Sequence, residues 1–223
     1  WDLAVWGGAV ALVALAIERC RANSASWHSA EALYRHGLSV NPTNEKLHDL
    51  LATRLHNGGG DADTVEWHAT QAIAINPAYW HAQATLGQLY TSRGATDAAI
   101  RHYREAVRLA ESQHLDNMAD APKVRLNLAM MLQAGARQEA ELQFQRALAA
   151  GVGEQHSMAS IVFGAFLESE AASAAKQPRA ADRLFEAVQL YRSAVASPGY
   201  VTCADIAHLR LGTALVKMLR HAE

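Results

Sequence analysis

Residues 80–111 decide the fold, and they read WHAQATLGQLYTSRGATDAAIRHYREAVRLAE. Two helical patterns meet in this stretch at Gly94, a residue type that tolerates the backbone of a tight turn. Each pattern places residues at spacings of three and four on one face, as an amphipathic helix does. The face residues are Leu86, Gly87, Tyr90, Ala99, Tyr103 and Ala106. The pattern predicts a helical hairpin that needs neighbours, because one hairpin cannot bury its whole apolar face alone.

The order of small and large residues in this hairpin resembles the tetratricopeptide repeat, which is about 34 residues long. With Trp80 as position 1, the six face residues fall at positions 7, 8, 11, 20, 24 and 27, and Gly94 falls at position 15. An ordinary hairpin of a helical bundle would share the helical period but not this order of sizes. The resemblance implies an all-α fold in which antiparallel helix hairpins stack into a right-handed superhelix.

Shorter matches to the same spacing run along the rest of the chain. Pro42 and Pro77 end two successive units and lie 35 residues apart, which preserves the period. After residue 111 the spacing loosens, and Tyr103 is 41 residues from Phe144, its counterpart in the next unit. The predicted repeat domain covers residues 22–223, with repeats at about 30–42, 45–77, 80–111, 122–150, 157–198 and 203–223.

An apolar run precedes the repeats. Residues 3–17 carry no charge, and Glu18, Arg19 and Arg21 follow directly. Fifteen helical residues span about 22 Å, whereas the hydrocarbon core of a bilayer is about 30 Å thick. We therefore expect residues 1–21 to be the end of a transmembrane helix with its basic flank. Two other interpretations stay open, namely a buried helix that packs on the first repeat and the hydrophobic region of a signal peptide.

Composition argues against several classes of function. The net charge is −2 and no long basic stripe is present, so we expect no nucleic-acid partner. The sequence has no Gly-rich phosphate loop, no HExxH motif and no GxSxG motif, and we predict no catalytic site and no cofactor in it. None of the eleven histidines forms a His-x3-His pair with a nearby carboxylate. We interpret them as solvated residues of helix surfaces and predict no metal site.

The predicted binding surface is the concave groove of the repeats. In the repeat family, positions 2, 5, 9 and 12 of the first helix of each repeat face this groove, and we call them the groove positions. They are occupied by Lys46, Asp49, Thr53, His56, His81, Ala84, Gln88, Thr91, Lys123, Leu126, Met130 and Gln133. This mixture is polar with few charges, which suits an extended peptide or loop of a partner protein. Lys123 and Asn127 stand where related domains hold a partner's carboxylate, although ordinary solvated residues would give the same pattern.

The join between the apolar run and the repeats contains five short motifs. They are Glu18-Arg-Cys-Arg21, Ser26-Trp27-His-Ser29, Glu31-Ala-Leu-Tyr-Arg35, Leu38-Ser-Val-Asn-Pro42 and Asn44-Glu-Lys-Leu-His48. Their order is similar to that in the transmembrane and tetratricopeptide repeat-containing proteins, which are protein O-mannosyltransferases of the endoplasmic reticulum. The resemblance covers residues 1–111, and beyond them only generic repeat features remain.

This second resemblance implies that the chain is the luminal C-terminal repeat region of a membrane enzyme. Such enzymes transfer mannose from dolichyl phosphate mannose to Ser or Thr of cadherin-type acceptors, and their catalytic acidic residues would lie upstream of Trp1. The repeats would bind the acceptor or another partner, and residues 3–17 would anchor them to the endoplasmic reticulum membrane. The alternative is a soluble, non-enzymatic adaptor that binds a peptide in its groove. Arg19, Arg21 and Arg35 locally favour a cytoplasmic side, although long domains translocate regardless of such charges.

Overall fold

The computed structural model describes residues 29–114, 120–174, 179–196 and 204–222, and these ranges contain ten helices and no strand. The helices are α1 (Ala30–Val40), α2 (Glu45–Asn57), α3 (Ala62–Ile75), α4 (Trp80–Ser92), α5 (Thr96–Ser112), α6 (Ala121–Leu132), α7 (Arg137–Ala150), α8 (Glu154–Ser173), α9 (Arg179–Ala196) and α10 (Ala204–Ala222). The predicted all-α architecture is therefore confirmed for this part of the chain.

The predicted transmembrane segment, residues 3–17, lies outside the described residues. Among the helices that the structure does describe, none combines the length and the apolar character that a bilayer crossing requires.

Capping side chains explain where the early helices begin. Ser29 Oγ accepts a hydrogen bond from the N–H of Ala32 at 3.1 Å, and Asn44 Oδ1 accepts one from the N–H of Leu47 at 3.0 Å. Asp61 caps α3 in the same way. Each cap satisfies one of the backbone donors that the first turn of a helix leaves without an intrahelical partner.

The chain divides into two compact units, and the boundary falls between Leu89 and Tyr90, inside α4. The core of the first unit combines Leu51 and Ala52 of α2 with apolar side chains of α3 that are fully buried, namely Val65, Ala69 and Ala72. At Gly37 in α1, an added Cβ would lie 2.7 Å from Leu47 Cδ1, so this glycine lets α1 approach α2 closely.

The second unit shows the small–large order that the sequence predicted. The aromatic residues at position 24 of successive repeats, Tyr103, Phe144 and Tyr191, are at most 2% exposed. The small residues at positions 20 and 27 are fully buried, and they are Ala99, Ala106, Ala140, Ala147, Ala187 and Ala194. Gly94 has φ +72°, the left-handed conformation that the turn after α4 requires.

A glycine and an aromatic ring fix the packing of α8 against α9. A Cβ at Gly164 would lie 2.7 Å from Cε1 and 3.0 Å from Cζ of Tyr191, so only glycine leaves room for the ring. The Tyr191 hydroxyl donates a hydrogen bond to Glu168 Oε2 at 3.0 Å, and Glu168 is 5% exposed. Lys217 of α10 also binds this carboxylate, which ties α10 to α8.

The structure corrects the predicted limits of α8. The sequence pattern places this helix at Met158–Ala175, whereas it begins at Glu154 and ends at Ser173. Gly153, the residue before the helix, adopts φ 56° and ψ −125°, a backbone conformation that glycine adopts readily and other residues rarely do. The helix therefore starts directly after this glycine, one helical turn earlier than apolar periodicity alone indicates.

Ion pairs and hydrogen bonds connect helices of neighbouring repeats. In the second unit, Arg125 is 4% exposed and its Nη1 lies 2.9 Å from Glu111 Oε1, which also binds Arg146 at 2.9 Å. In the first unit, the ring Nε2 of His48 lies 3.1 Å from the carbonyl oxygen of Pro42. Both contacts join position 4 of a first helix to the end of the preceding repeat, but with different chemistry.

Candidate functional site

A groove of about 330 Å³ lies between the first turns of α6 and α8 in the second unit. Its lining residues are Pro122, Lys123, Leu126, Glu154, Gln155 and Met158. Pro122 occupies the first turn of α6, where its missing N–H costs no intrahelical hydrogen bond. The turn at Gly153, which has a positive φ, starts α8 where its first residues, Glu154 and Gln155, reach the groove.

Repeat counting anticipated part of this lining. Lys123 and Leu126 are predicted groove positions, and both line the groove. Met158 is not among the predicted groove residues, although Phe163 at position 7 puts Met158 at position 2 of its repeat. Glu154 precedes position 1 of the same repeat, so counting repeat positions could not have predicted that it lines the groove.

The groove has an apolar floor and a charged rim. Leu126 is 6% exposed and Pro122 is buried, while Met158, which also lines the groove, is 37% exposed. Lys123 and Glu154 are exposed, and neither makes an ion pair within the described ranges. Such a surface can bind an apolar side chain and interact with charges beside it.

Asn127 and Thr91 form hydrogen bonds with the hydroxyl of Tyr103 and do not line this groove. Thr91 Oγ1 lies 3.4 Å from Tyr103 Oη, and Asn127 hydrogen-bonds to the same hydroxyl. Burial of the ring raises the pKa of Tyr103, and the hydrogen bonds from Thr91 and Asn127 oppose this shift. Met130 is half-buried and also lies outside the lining.

In the first unit, the structure brings two of the predicted groove residues together. Thr85 Oγ1 of α4 donates a hydrogen bond to Asp49 Oδ1 at 2.7 Å, and it lies 3.2 Å from Thr53 Oγ1. Asp49 is 6% exposed, so its carboxylate helps to hold α2 against α4. His81 stacks on Trp80 with ring centroids 3.7 Å apart.

The remaining candidates of the first unit differ in exposure. Lys46 is exposed, while His56 and Gln88 are half-buried.

His48 is not the solvated surface residue that we expected. It is 5% exposed, its Nδ1 lies 2.9 Å from Nδ1 of His68, and the ring of Trp67 packs on both histidines. Burial lowers the pKa of His68 to about 4, and the nearby charges of His48 and Arg35 add to this shift. Helix-face counting could have found the buried position, because His48 lies three and four residues before Leu51 and Ala52 of the core.

A second depression of about 410 Å³ lies between α5 and the turn after α6. Its lining residues are Asp97, Ile100, Arg101, Arg104, Met131, Leu132, Gly135 and Ala136. None of them occupies a groove position, and the Arg104 guanidinium is held by Glu139 at 2.8 and 2.5 Å. In the described part of the chain, no cluster of three or more His, Cys, Asp or Glu residues could hold a metal ion.

The fold is that of tetratricopeptide-repeat proteins of known structure. The chain is similar to YrrB, "a TPR protein with an unusual peptide-binding site", with a TM-score of 0.60 and 15% identity over 86% of this chain and 92% of that one. It is similar to TTC0263 of Thermus thermophilus, with a TM-score of 0.59 and 19% identity over 93% and 95% of the two chains. BtubC from P. vanneervenii gives a TM-score of 0.58 and 17% identity over 91% and 85%.

At these identities the likeness establishes the fold alone. No protein-family model and no curated protein matches the chain. No comparison supports membership in the O-mannosyltransferase family.

Proposed function

We propose that this chain is a tetratricopeptide-repeat scaffold that binds a peptide segment of a partner protein in the groove between α6 and α8. The observation that carries the proposal is the groove itself. It is preformed, includes Lys123 and Leu126 in its lining, and combines apolar with charged residues.

The physical properties of the groove suit one or two side chains of a bound peptide. Its volume of about 330 Å³ lies at the lower end of the range of about 300–1,000 Å³ for ligand pockets. Met158 is partly exposed in the free protein, and a ligand would remove its apolar surface from water. Because the lining stands on the first turns of two helices, binding would need little ordering of the protein.

The similarity to YrrB is consistent with this function, since that protein is described as having a peptide-binding site. The proposal does not depend on this similarity, because 15% sequence identity supports a shared fold and does not indicate a shared ligand. A protein or peptide partner is therefore proposed from the groove in this chain.

Affinity selection and one paired substitution test the proposal. A displayed library of random peptides is selected on residues 1–223, and the binding of recovered peptides is measured by fluorescence anisotropy. Met158→Asp should weaken binding about tenfold or more, because it places a carboxylate against the apolar side chain of the ligand. Leu142→Asp is the matched control, since Leu142 is 43% exposed on α7 and lies outside the groove lining. Equal binding by both variants would show that the groove is not the site.

The hypothesis of a mannosyltransferase rests on the sequence motifs at residues 18–48, between the apolar run and the repeats, and no feature of the fold supports it. Attachment to the endoplasmic reticulum membrane and luminal repeats depend on the same resemblance and stand as a secondary proposal. Residues 1–223 and 24–223 are expressed with microsomes and extracted with alkaline carbonate, and protease is then added. Retention of the longer form alone, with protected repeats, would support this reading. Release of both forms would contradict it.

A further inference from the structure

The two walls of the groove carry opposite charges that find no partner within the described part of the protein. Lys123 stands on the α6 wall and Glu154 on the α8 wall, and both side chains are exposed. In the described residues, neither is in an ion pair, either with the other or with a third side chain. The groove therefore presents an ammonium group on one side and a carboxylate on the other.

Other charged residues of the second unit do find partners between neighbouring helices. Arg183 binds Glu141 through two hydrogen bonds of 2.6 and 2.9 Å, and Arg137 lies 3.0 Å from Glu170. Helices of this unit thus approach closely enough for ion pairs at several places. Lys123 and Glu154 form no ion pair with each other although both line the same groove of about 330 Å³, so each remains available to a ligand.

We propose that the peptide bound in the groove carries a large apolar side chain flanked by one acidic and one basic residue. This inference rests on the proposed function and names the chemistry of its ligand. The apolar side chain contacts Leu126 and Met158, the acidic residue lies beside Lys123, and the basic residue lies beside Glu154. The spacing follows from extended backbone, in which every second side chain points to the same face and is about 6.6–6.8 Å from the next. The recognised pattern is therefore acidic-x-apolar-x-basic, read in either chain direction.

The flanking charges would supply selectivity, and the apolar contact would supply most of the affinity. An exposed ion pair contributes about 0.2–1 kcal/mol, which corresponds to about 1.4- to 5-fold in affinity. Reversing one of the two charges replaces an attraction by a repulsion of similar size, so matched and mismatched peptides should differ by about 2- to 30-fold. The difference should shrink when salt is raised to about 1 M, where charges are screened within about 3 Å.

The test uses four peptides that share a central Leu and differ only in the two flanking residues. The flanks are Asp and Lys, two Asp, two Lys, or Asn and Gln. Each peptide is titrated against the complete chain and against Lys123→Glu and Glu154→Lys, which make the two walls equally acidic or equally basic. The controls Arg192→Glu and Asp182→Lys make the same charge changes at exposed residues of α9, outside the lining. Circular dichroism verifies that every variant is folded.

The expected result is that each wall variant prefers a different peptide from the native chain, whereas the α9 controls do not. The native chain and both α9 controls should prefer the Asp/Lys peptide, Lys123→Glu the peptide with two Lys, and Glu154→Lys the peptide with two Asp. This outcome does not depend on the direction in which the peptide lies, because each wall variant makes the two rims alike.

Other outcomes separate the ligand chemistry from the function. If all four peptides bind each protein equally, or if the α9 controls change the preference as the wall variants do, the charge pattern is refuted while peptide binding stands. If the four peptides fail to bind but a library-selected peptide binds in a Met158-dependent manner, the proposed pattern is again refuted and the function stands. If no peptide binds at all, both proposals fail.

Discussion

The contact between Gly164 and Tyr191 allows a quantitative test of how α8 and α9 pack. Gly164→Ala would place a Cβ 2.7 Å from Cε1, 3.0 Å from Cζ and 3.1 Å from Cδ1 of Tyr191. The ring cannot easily move away, since it is fully buried and its hydroxyl is bound to Glu168. Overpacking of this kind costs about 1–3 kcal/mol, whereas Gly→Ala in a helix interior gains about 0.5–1 kcal/mol. The net effect should be a loss of about 0.5–2 kcal/mol of unfolding free energy.

Gly212 offers a matched control, because it occupies the same repeat position in α10 and an added Cβ would meet nothing within 4 Å. Gly212→Ala should therefore stabilise its helix by about 0.5–1 kcal/mol. Thermal unfolding followed by circular dichroism compares the two variants, and about 1 kcal/mol corresponds to about 2–4 °C for a chain of this length. Gly164→Ala should lower the melting temperature and Gly212→Ala should leave it equal or raise it.

A double substitution identifies the cause. Tyr191→Leu removes the ring, so the further change Gly164→Ala should cost less in that background than in the native chain. Equal costs in the two backgrounds, or a Gly164→Ala protein as stable as the native one, would refute the proposed steric contact.

Three further predictions concern other side chains with partners inside the fold. Tyr103→Ala should destabilise the protein by about 3–5 kcal/mol in urea denaturation, since the side chain is 2% exposed and its removal leaves a cavity. The folded state lowers the pKa of His68 to about 4, so the unfolded chain takes up this proton at a higher pH than the folded chain does. The free energy of unfolding should therefore fall by about 1–2 kcal/mol, after allowance for solvent screening, as the pH falls from about 6.5 to 4. In His68→Gln this pH dependence should shrink. Glu168→Gln should speed amide hydrogen exchange in α10, because it weakens the bond to Lys217; unchanged exchange would count against that bond.

Repeat counting predicted the fold because its signal is local. The small–large order at residues 80–111 decides which residues are buried, and Ala99, Tyr103 and Ala106 are buried as expected. Helical periodicity and residue size act over a few turns and need no knowledge of distant partners. Lys123 and Leu126 could be placed at the groove by the same counting.

The rest of the site depends on features that repeat positions do not encode. Glu154 reaches the groove because the backbone turns at Gly153 and starts α8 early, and a glycine in a sequence does not reveal its dihedral angles. His48 was misassigned because a histidine is usually exposed, whereas here His68 and the Pro42 carbonyl satisfy its ring nitrogens. Such partners come together only in the tertiary fold.

The bonds at position 4 imply that repeats of this chain are not interchangeable by recombination. In the repeat that begins with α2 this position is His48 and its partner is a backbone carbonyl, whereas in the repeat that begins with α6 it is Arg125 and its partner is the carboxylate of Glu111. A shuffled gene that placed the repeat of Arg125 after Pro42 would bury a guanidinium without its carboxylate, at a cost of about 3–5 kcal/mol. Sequence duplication could therefore extend this array only if the last turn of one repeat and the first turn of the next were copied together.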